Sequence, residues 1–198
     1  MAGARIETLA MPSAGRATLA IATLREYLQG FAGVGRHVEV VVVDTSVDAG
    51  QRRAYREGLR ALAQDTGAAL RYFGAEQLEA HAKRMQAAGV DPELVRFAGG
   101  DPLGTGQAYG AARNRVLLDT LGSAVLSVDD DVRGSIAPAP RVRPGIALFT
   151  GDGPGYVNYD PHEYWFFDDR AQVLASQQPV EVDLLALHER RSEERRVG

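Results

Sequence analysis

The sequence predicts an α/β fold with a mostly parallel sheet flanked by helices. Three observations carry that expectation: a short β-branched run ending in an acid, a second strand running into three acids, and helical periodicity between the strands. The first run, His37 to Asp44 (HVEVVVVD), is nearly continuous in apolar character, as in a strand covered on both faces. Ala124 to Val128 (AVLSV) leads directly into Asp129-Asp130-Asp131. Weaker strands are expected at Ala69 to Phe73 and Arg5 to Ala10.

Helices are expected between the strands. Ala17 to Phe31 sets Leu19, Leu24, Leu28 and Phe31 at near-helical spacing. Gln51 to Gly67 places Tyr55, Leu59 and Leu62 on one face, and Gly110 to Leu121 carries Ala111, Ala112, Val116 and Leu117. Residues 75–109 read as an insertion, with a helix over Glu76 to Ala88 and then a loop marked by Gly99, Gly100, Gly104 and Gly106. Residues 1–134 are thus one α/β domain. Residues 135–188 read as an irregular part of the same domain, Pro- and Gly-rich and then aromatic from Tyr156 to Phe167. Residues 189–198 read as a charged tail with little to bury, similar to read-through sequence appended to a truncated frame.

Composition narrows the chemistry. With no Cys there is no disulfide, Cys nucleophile, Cys-ligated zinc or iron–sulfur cluster. A net charge of −4 speaks against a broad nucleic-acid footprint, which needs a basic surface. Lys83 is the only Lys, so no Walker-type lysine loop is present. No apolar run of about 18 residues exists to span a membrane. Arg5, Glu7 and Arg16 interrupt the N-terminal apolar stretch, so no secretory signal is read and a cytoplasmic location is expected.

Three motifs point to chemistry. Acids at the carboxyl end of a parallel strand sit where open α/β sheets bind ligands. Three adjacent carboxylates repel one another unless a cation is near, and Mg²⁺ or Mn²⁺ accepts such oxygen ligands and bridges them to phosphate. In an extended strand end Asp129 and Asp131 face the same side, one to hold a metal and the other to reach sugar or ribose hydroxyls. The alternative is a solvated acidic turn. Asp44 ends the other strand and can accept a hydrogen bond from a base or ribose. Thr45, Ser46 or Asp48 after it can instead cap the Gln51 helix, and Asp48 is the preferred cap. Arg113, in the first turn of the helix opened by Gly110-Ala111-Ala112, can meet a phosphate or stand as an exposed helix arginine.

In this order the pieces resemble the family-2-like glycosyltransferases. Met11-Pro12-Ser13-Ala14-Gly15-Arg16 resembles their P-T-x-N-R-type opening and Val-Val-Val-Val-Asp44-Thr-Ser their V-V-D-D-x-S strand. Gly110-Ala-Ala-Arg113-Asn114 resembles their G-x-x-x-A-R-N helix start, and Leu-Ser-Val-Asp129-Asp130-Asp131 their F-L-D-D-D (DXD) metal motif. The resemblance covers roughly residues 5 to 133. It implies a GT-A fold with a Rossmann-like half, a nucleotide-sugar donor, and transfer of a hexose-like group to an acceptor the sequence does not reveal. It implies that Pro12, Ser13 and Arg16 line the nucleotide pocket, that Asp44 contacts the base and that Arg113 lies near the nucleotide. Asp129 and Asp130 would then meet the donor, with Asp131 and Asp129 holding Mn²⁺ or Mg²⁺.

There are departures from the pattern. The 75–109 insertion lengthens the spacing from Asp44 to the aspartates, and no late catalytic carboxylate matches unambiguously. Glu163 and Asp168, with Asp169, are the candidate bases, or else belong to an aromatic core strand with an acidic turn. Tyr164 or Trp165 could stack on a sugar, and His188 could be a late metal ligand. Two rival functions remain: a nucleotidyltransferase of similar fold, and a non-catalytic nucleotide-binding or fragmentary GT-A-like domain.

Overall fold

A computed structural model describes residues 5–100, 109–134 and 182–194. The chain divides into two compact units, Met1–Gly134 with Asp183–Gly198, and Ser135–Val182. All elements below belong to the first unit. The break falls where the Pro- and Gly-rich stretch begins. Residues 183–188, expected to continue that stretch, instead belong with the sheet.

Four strands, β1 (Ile6–Ser13), β2 (Glu39–Asp44), β3 (Leu70–Phe73) and β4 (Ala124–Ser127), form one sheet in the order β3-β2-β1-β4, every pair parallel. The helices are α1 (Ala17–Gly33), α2 (Ala49–Thr66), α3 (Ala75–Ala87), α4 (Pro92–Gly99), α5 (Tyr109–Asp119) and α6 (Leu184–Glu194). Val40 to Val43 are fully buried, as a strand covered on both faces demands. Their side chains alternate. Val40 and Val42 join Leu9 and Met11 in one core with Leu24, Leu28 and Phe31 of α1 and Tyr55, Leu59 and Leu62 of α2. Val41 and Val43 join Ala10 in a second core with Ala112 and Val116 of α5. Each buried valine is worth roughly 1.5–3 kcal/mol of transfer free energy, so the four central ones fix the register of β2.

The helices depart from the expected faces in two places for one reason. Leu19 and Leu117, read as core-facing, are 44% and 66% exposed. Each lies five positions from its supposed partner, Leu24 or Ala112, and five residues turn a helix by roughly 140° beyond a full circle. The buried face of α1 follows true i, i+3, i+4 spacing through Ala20, Thr23, Leu24, Tyr27, Leu28 and Phe31. Where α1 meets α2, a Cβ on Gly58 would lie 2.1 Å from Ile21 Cδ1, so the glycine allows the close approach.

Helix α4 falls where a glycine-rich loop was expected to begin. Asp91 accepts hydrogen bonds from the N–H groups of Glu93 and Leu94, and Pro92 occupies the first helical turn. The Asp-Pro-Glu start was the signal. Helix α6 takes up the head of the expected charged tail. Leu185 is fully buried in the first core, and Glu189 Oε1 accepts from Ile6 N at 2.6 Å. Among the described residues no helix is long and apolar enough to cross a membrane.

Candidate functional site

Because all four strands are parallel, their carboxyl ends share one edge. The register pairs Ser13 with Asp44 there, and the N–H of Val128 donates to Ala10 O, which carries the chain past β4 alongside the end of β1. The chain passes from β1 outward to β2 and β3, then returns to place β4 on the other side of β1. That reversal opens a crevice between the β1 and β4 ends, the position at which open α/β sheets bind ligands.

A cavity of about 340 Å³ lies in this crevice. Pro12, Ser13 and Arg16 reach it from β1 and its following turn, Arg113 from α5, and Asp129, Asp130 and Asp131 from the segment after β4. Thr45 and Ala112 complete the walls. Residues from four separate stretches of sequence thus meet at one rim.

The three aspartates have different surroundings. The Asp130 side chain is 4% exposed, and its carboxylate accepts from Ser13 Oγ and is ion-paired with Arg16 at 3.3 Å. Its backbone carbonyl accepts from Thr23 Oγ1 of α1 at 3.0 Å. Asp129 and Asp131 are 59% and 53% exposed and rest against Arg113 (3.3 Å) and Arg16 (2.9 Å) respectively. Asp130 therefore anchors the turn, while Asp129 and Asp131 face outward. The three carboxylates do not converge on a point. Among the described residues no group of three His, Asp or Glu side chains is arranged to hold a metal.

Asp44 lies behind the wall. It is fully buried, and Oδ1 accepts from the N–H and hydroxyl of Ser46 while Oδ2 accepts from Tyr72 OH at 2.7 Å. The base contact implied for Asp44 thus has no free oxygen facing the cavity; Thr45 stands there instead. Ser46 Oγ also accepts from Gly15 N at 2.7 Å, which ties the β1–α1 turn to the β2–α2 turn. Gly15 adopts φ +70°, a conformation other residues adopt only under strain. Asp48 caps α2 through Gln51 N, as expected.

Beneath the rim runs a buried polar chain that the sequence pattern did not reveal. Ser13 has one hydroxyl proton and gives it to Asp130, so Tyr55 OH donates to Ser13 Oγ. Tyr55 stacks on Tyr72 with ring centroids 6.3 Å apart, and Tyr72 in turn serves Asp44. Burial is the main cause that raises both phenol pKa values; the hydrogen bond to Asp44 and its charge add to the effect at Tyr72. Both hydroxyls therefore stay protonated donors at neutral pH. Tyr55 reads in sequence as an ordinary member of an apolar helix face. Its hydroxyl partner lies 42 residues away, beyond any local pattern.

The remaining candidates fall elsewhere. Glu163, Tyr164, Trp165, Asp168 and Asp169 lie outside the described residues. His188 sits on α6 next to Glu189, whose carboxylate is bonded to Ile6 at the amino end of β1. That is the edge of the sheet opposite the aspartates, so His188 is not one of their metal-binding partners.

The fold and the site define a four-stranded, all-parallel α/β domain of a class compatible with a Rossmann-like fold, with a charged crevice at its strand-order reversal. No protein-family model matches the chain, and no curated protein or solved structure is significantly similar to it.

Proposed function

We propose that the rim binds a nucleoside-diphosphate sugar and that the chain is a hexosyltransferase-like glycosyltransferase of GT-A type, acting with Mn²⁺ or Mg²⁺. One observation carries the reading: Arg16 and Arg113, on different elements, stand among three aspartates in the crevice of a parallel sheet.

The charge balance supports it. Three carboxylates against two guanidiniums leave the cavity lining with one negative charge in excess, which repels a diphosphate. One divalent cation turns that excess to one positive charge. Asp129 and Asp131 fit such an ion, because Mg²⁺-like cations are held by one or two carboxylates together with substrate phosphates. Bound there, it would supply charge neutralisation to the departing diphosphate.

The chain's own groups do the rest. The Arg113–Asp129 and Arg16–Asp131 pairs are about half exposed, and such pairs contribute roughly 0–1 kcal/mol. The Arg113 guanidinium can therefore turn from carboxylate to phosphate at small cost, while Arg16, also paired with the buried Asp130, presents its charge from a fixed place. Pro12 and Thr45 offer a wall for the nucleoside, and Asp44 acts indirectly by holding the turn that presents Thr45. The proton of the acceptor hydroxyl is assigned to Glu163 or Asp168.

The rival nucleotidyltransferase reading needs a loop after β1 whose backbone N–H groups cradle phosphates. Here the Gly15 N–H is already given to Ser46 Oγ, which favours the glycosyltransferase. A thermal-shift screen of nucleoside diphosphates with and without Mn²⁺ tests the proposal. At a hundredfold excess over Kd a bound ligand adds about 2.7 kcal/mol, a rise of roughly 5–11 °C for a domain of this size. The rise is expected to need Mn²⁺ and to shrink in Asp131→Ala and Arg113→Ala. No stabilisation by any nucleoside diphosphate, or stabilisation indifferent to Mn²⁺ and to Asp131→Ala, rejects it. With a nucleotide sugar, release of nucleoside diphosphate marks a transferase. Pyrophosphate release from a nucleoside triphosphate marks the nucleotidyltransferase, and binding without either marks a non-catalytic domain.

A further inference from the structure

Three side chains from one short stretch of sequence, Ser46, Gln51 and Tyr55, converge on the turn between β1 and α1. Ser46 Oγ accepts from Gly15 N at 2.7 Å, and Gln51 Oε1 accepts from Ala17 N at 3.2 Å. The Tyr55 hydroxyl accepts from the backbone N–H of Arg16 and donates to Ser13 Oγ. Helix α2 and the loop before it thus hold the turn at Ser13, Gly15, Arg16 and Ala17. That turn carries the Arg16 side chain, which is 47% exposed and paired with Asp130 and Asp131.

Tyr55 differs from the other two because its hydroxyl reaches both halves of the rim. Arg16 N–H, Tyr55 O–H and Ser13 O–H donate in succession, the last of them to Asp130. Each hydroxyl accepts one bond and gives one, so the direction is fixed, and the chain ends on a carboxylate, a strong acceptor. Asp130 is the buried member of the triplet, between the exposed Asp129 and Asp131. The place of its carboxylate therefore sets the segment on which the outer two stand. Core packing does not require the phenol oxygen. The ring is fully buried beside Leu59 and Leu62 and stacks on Tyr72, a place that phenylalanine would fill equally. A buried hydroxyl is costly unless bonded, and both bonds of this one go to groups of the rim.

We propose that Tyr55 is a positioning residue of the crevice: its hydroxyl sets the turn from Ser13 to Arg16 and, through Ser13, the segment from Asp129 to Asp131, so that Arg16 and the two exposed acids meet a ligand in one fixed geometry. The proposal rests on the reading of the rim as a diphosphate site, and adds to it a residue that stands behind the cavity wall. Groups held in place beforehand need no ordering when the ligand arrives, which raises affinity without any new contact.

Tyr55→Phe, Ser13→Ala, the double variant and Leu59→Val, a core substitution one turn along α2, separate positioning from stability. Pyrophosphate with Mn²⁺, the part common to all nucleoside diphosphates, is titrated into the full chain by calorimetry. Amide exchange and amide resonances are followed without ligand. Tyr55→Phe is expected to speed exchange of the Arg16 amide and to shift the Asp129, Asp130 and Asp131 resonances. It is expected to weaken pyrophosphate binding about tenfold, the scale of one net hydrogen bond. Ser13→Ala is expected to weaken binding as much, and the double variant to bind within about twofold of either, since two hydroxyls in one chain are not additive. Leu59→Val is expected to unfold at lower urea than the wild type and yet to bind pyrophosphate equally well. The positioning role is overturned if Tyr55→Phe binds pyrophosphate as the wild type does, if the single losses add in the double variant, or if Leu59→Val weakens binding as much as Tyr55→Phe. A wild type that binds no pyrophosphate rejects the diphosphate reading of the rim itself, and this proposal with it.

Discussion

Asp130 and Asp131 are adjacent in sequence and opposite in environment. Asp130 is buried under Ser13 and Arg16, whereas Asp131 is half exposed against the outer edge of Arg16. Asp130→Ala leaves the Ser13 hydroxyl without its acceptor and removes the buried partner of Arg16, which keeps Asp131; a hydrogen bond to a charged group is worth about 1.5–3 kcal/mol. Urea unfolding should show a loss of about 3 kcal/mol for Asp130→Ala and less than about 0.5 kcal/mol for Asp131→Ala, in line with an exposed pair. Equal losses would mean that the two acids share one role. Nothing local marks Asp130 as the inward member of an acidic triplet. Its burial depends on Ser13, Arg16 and Thr23, each more than 100 residues earlier in the chain. The aspartates and Arg113 were legible in sequence because a strand end and a helix start could be placed; Ser13, three residues beyond the expected end of the first strand at Ala10, entered only through the family resemblance. The Tyr55 and Tyr72 hydroxyls were not, since an apolar face gives no sign of where a ring's oxygen ends.

Most of the elements were legible because their signals are local. The β-branched run of β2 and the Asp48 cap of α2 act within a few residues of themselves. The Asp48 carboxylate accepts from Gln51 N at 2.7 Å, and loss of such a cap costs about 1 kcal/mol. Asp48→Ala should therefore lower the unfolding free energy by about that amount in urea, and Asp48→Asn, which keeps the acceptor oxygen, should restore most of it. If both variants match the wild type, the cap contributes nothing. Helix α4 escaped because glycines on its far side outweighed the Asp91-Pro92-Glu93 start. Leu19 and Leu117 lie off the buried faces because a spacing of five residues from Leu24 and Ala112 turns each well past the helical repeat. Strand order is another matter: β4 beside β1 is a non-local choice, and only the fold brings the aspartates to Ser13.

At the scale of the whole molecule, α6 ties the end of the described chain to the start of the sheet. Arg36, 11% exposed, reaches Glu189 at 2.5 Å and Asp183 at 3.1 Å, so one guanidinium holds both the entry and the middle of α6. The tie closes a separation of more than 140 residues at the sheet edge opposite the rim. The Arg36 hydrogen bond holds the Glu189 carboxyl below its ordinary value of 4.5, and the Glu189 hydrogen bond raises the Arg36 pKa. A carboxylate with a depressed folded pKa binds fewer protons folded than unfolded. Its contribution is therefore fully present above the ordinary carboxylate range and is lost as pH falls through the depressed value. Urea unfolding of the wild type should weaken progressively below about pH 5. Glu189→Gln should be less stable than wild type at neutral pH and should converge on it in acid, because protonation of Glu189 removes the same charge. A gap between the two that stays constant across this range would show that Glu189 acts through packing alone. In that case the Glu189 charge, midway along α6, would add nothing to the closure of the sheet.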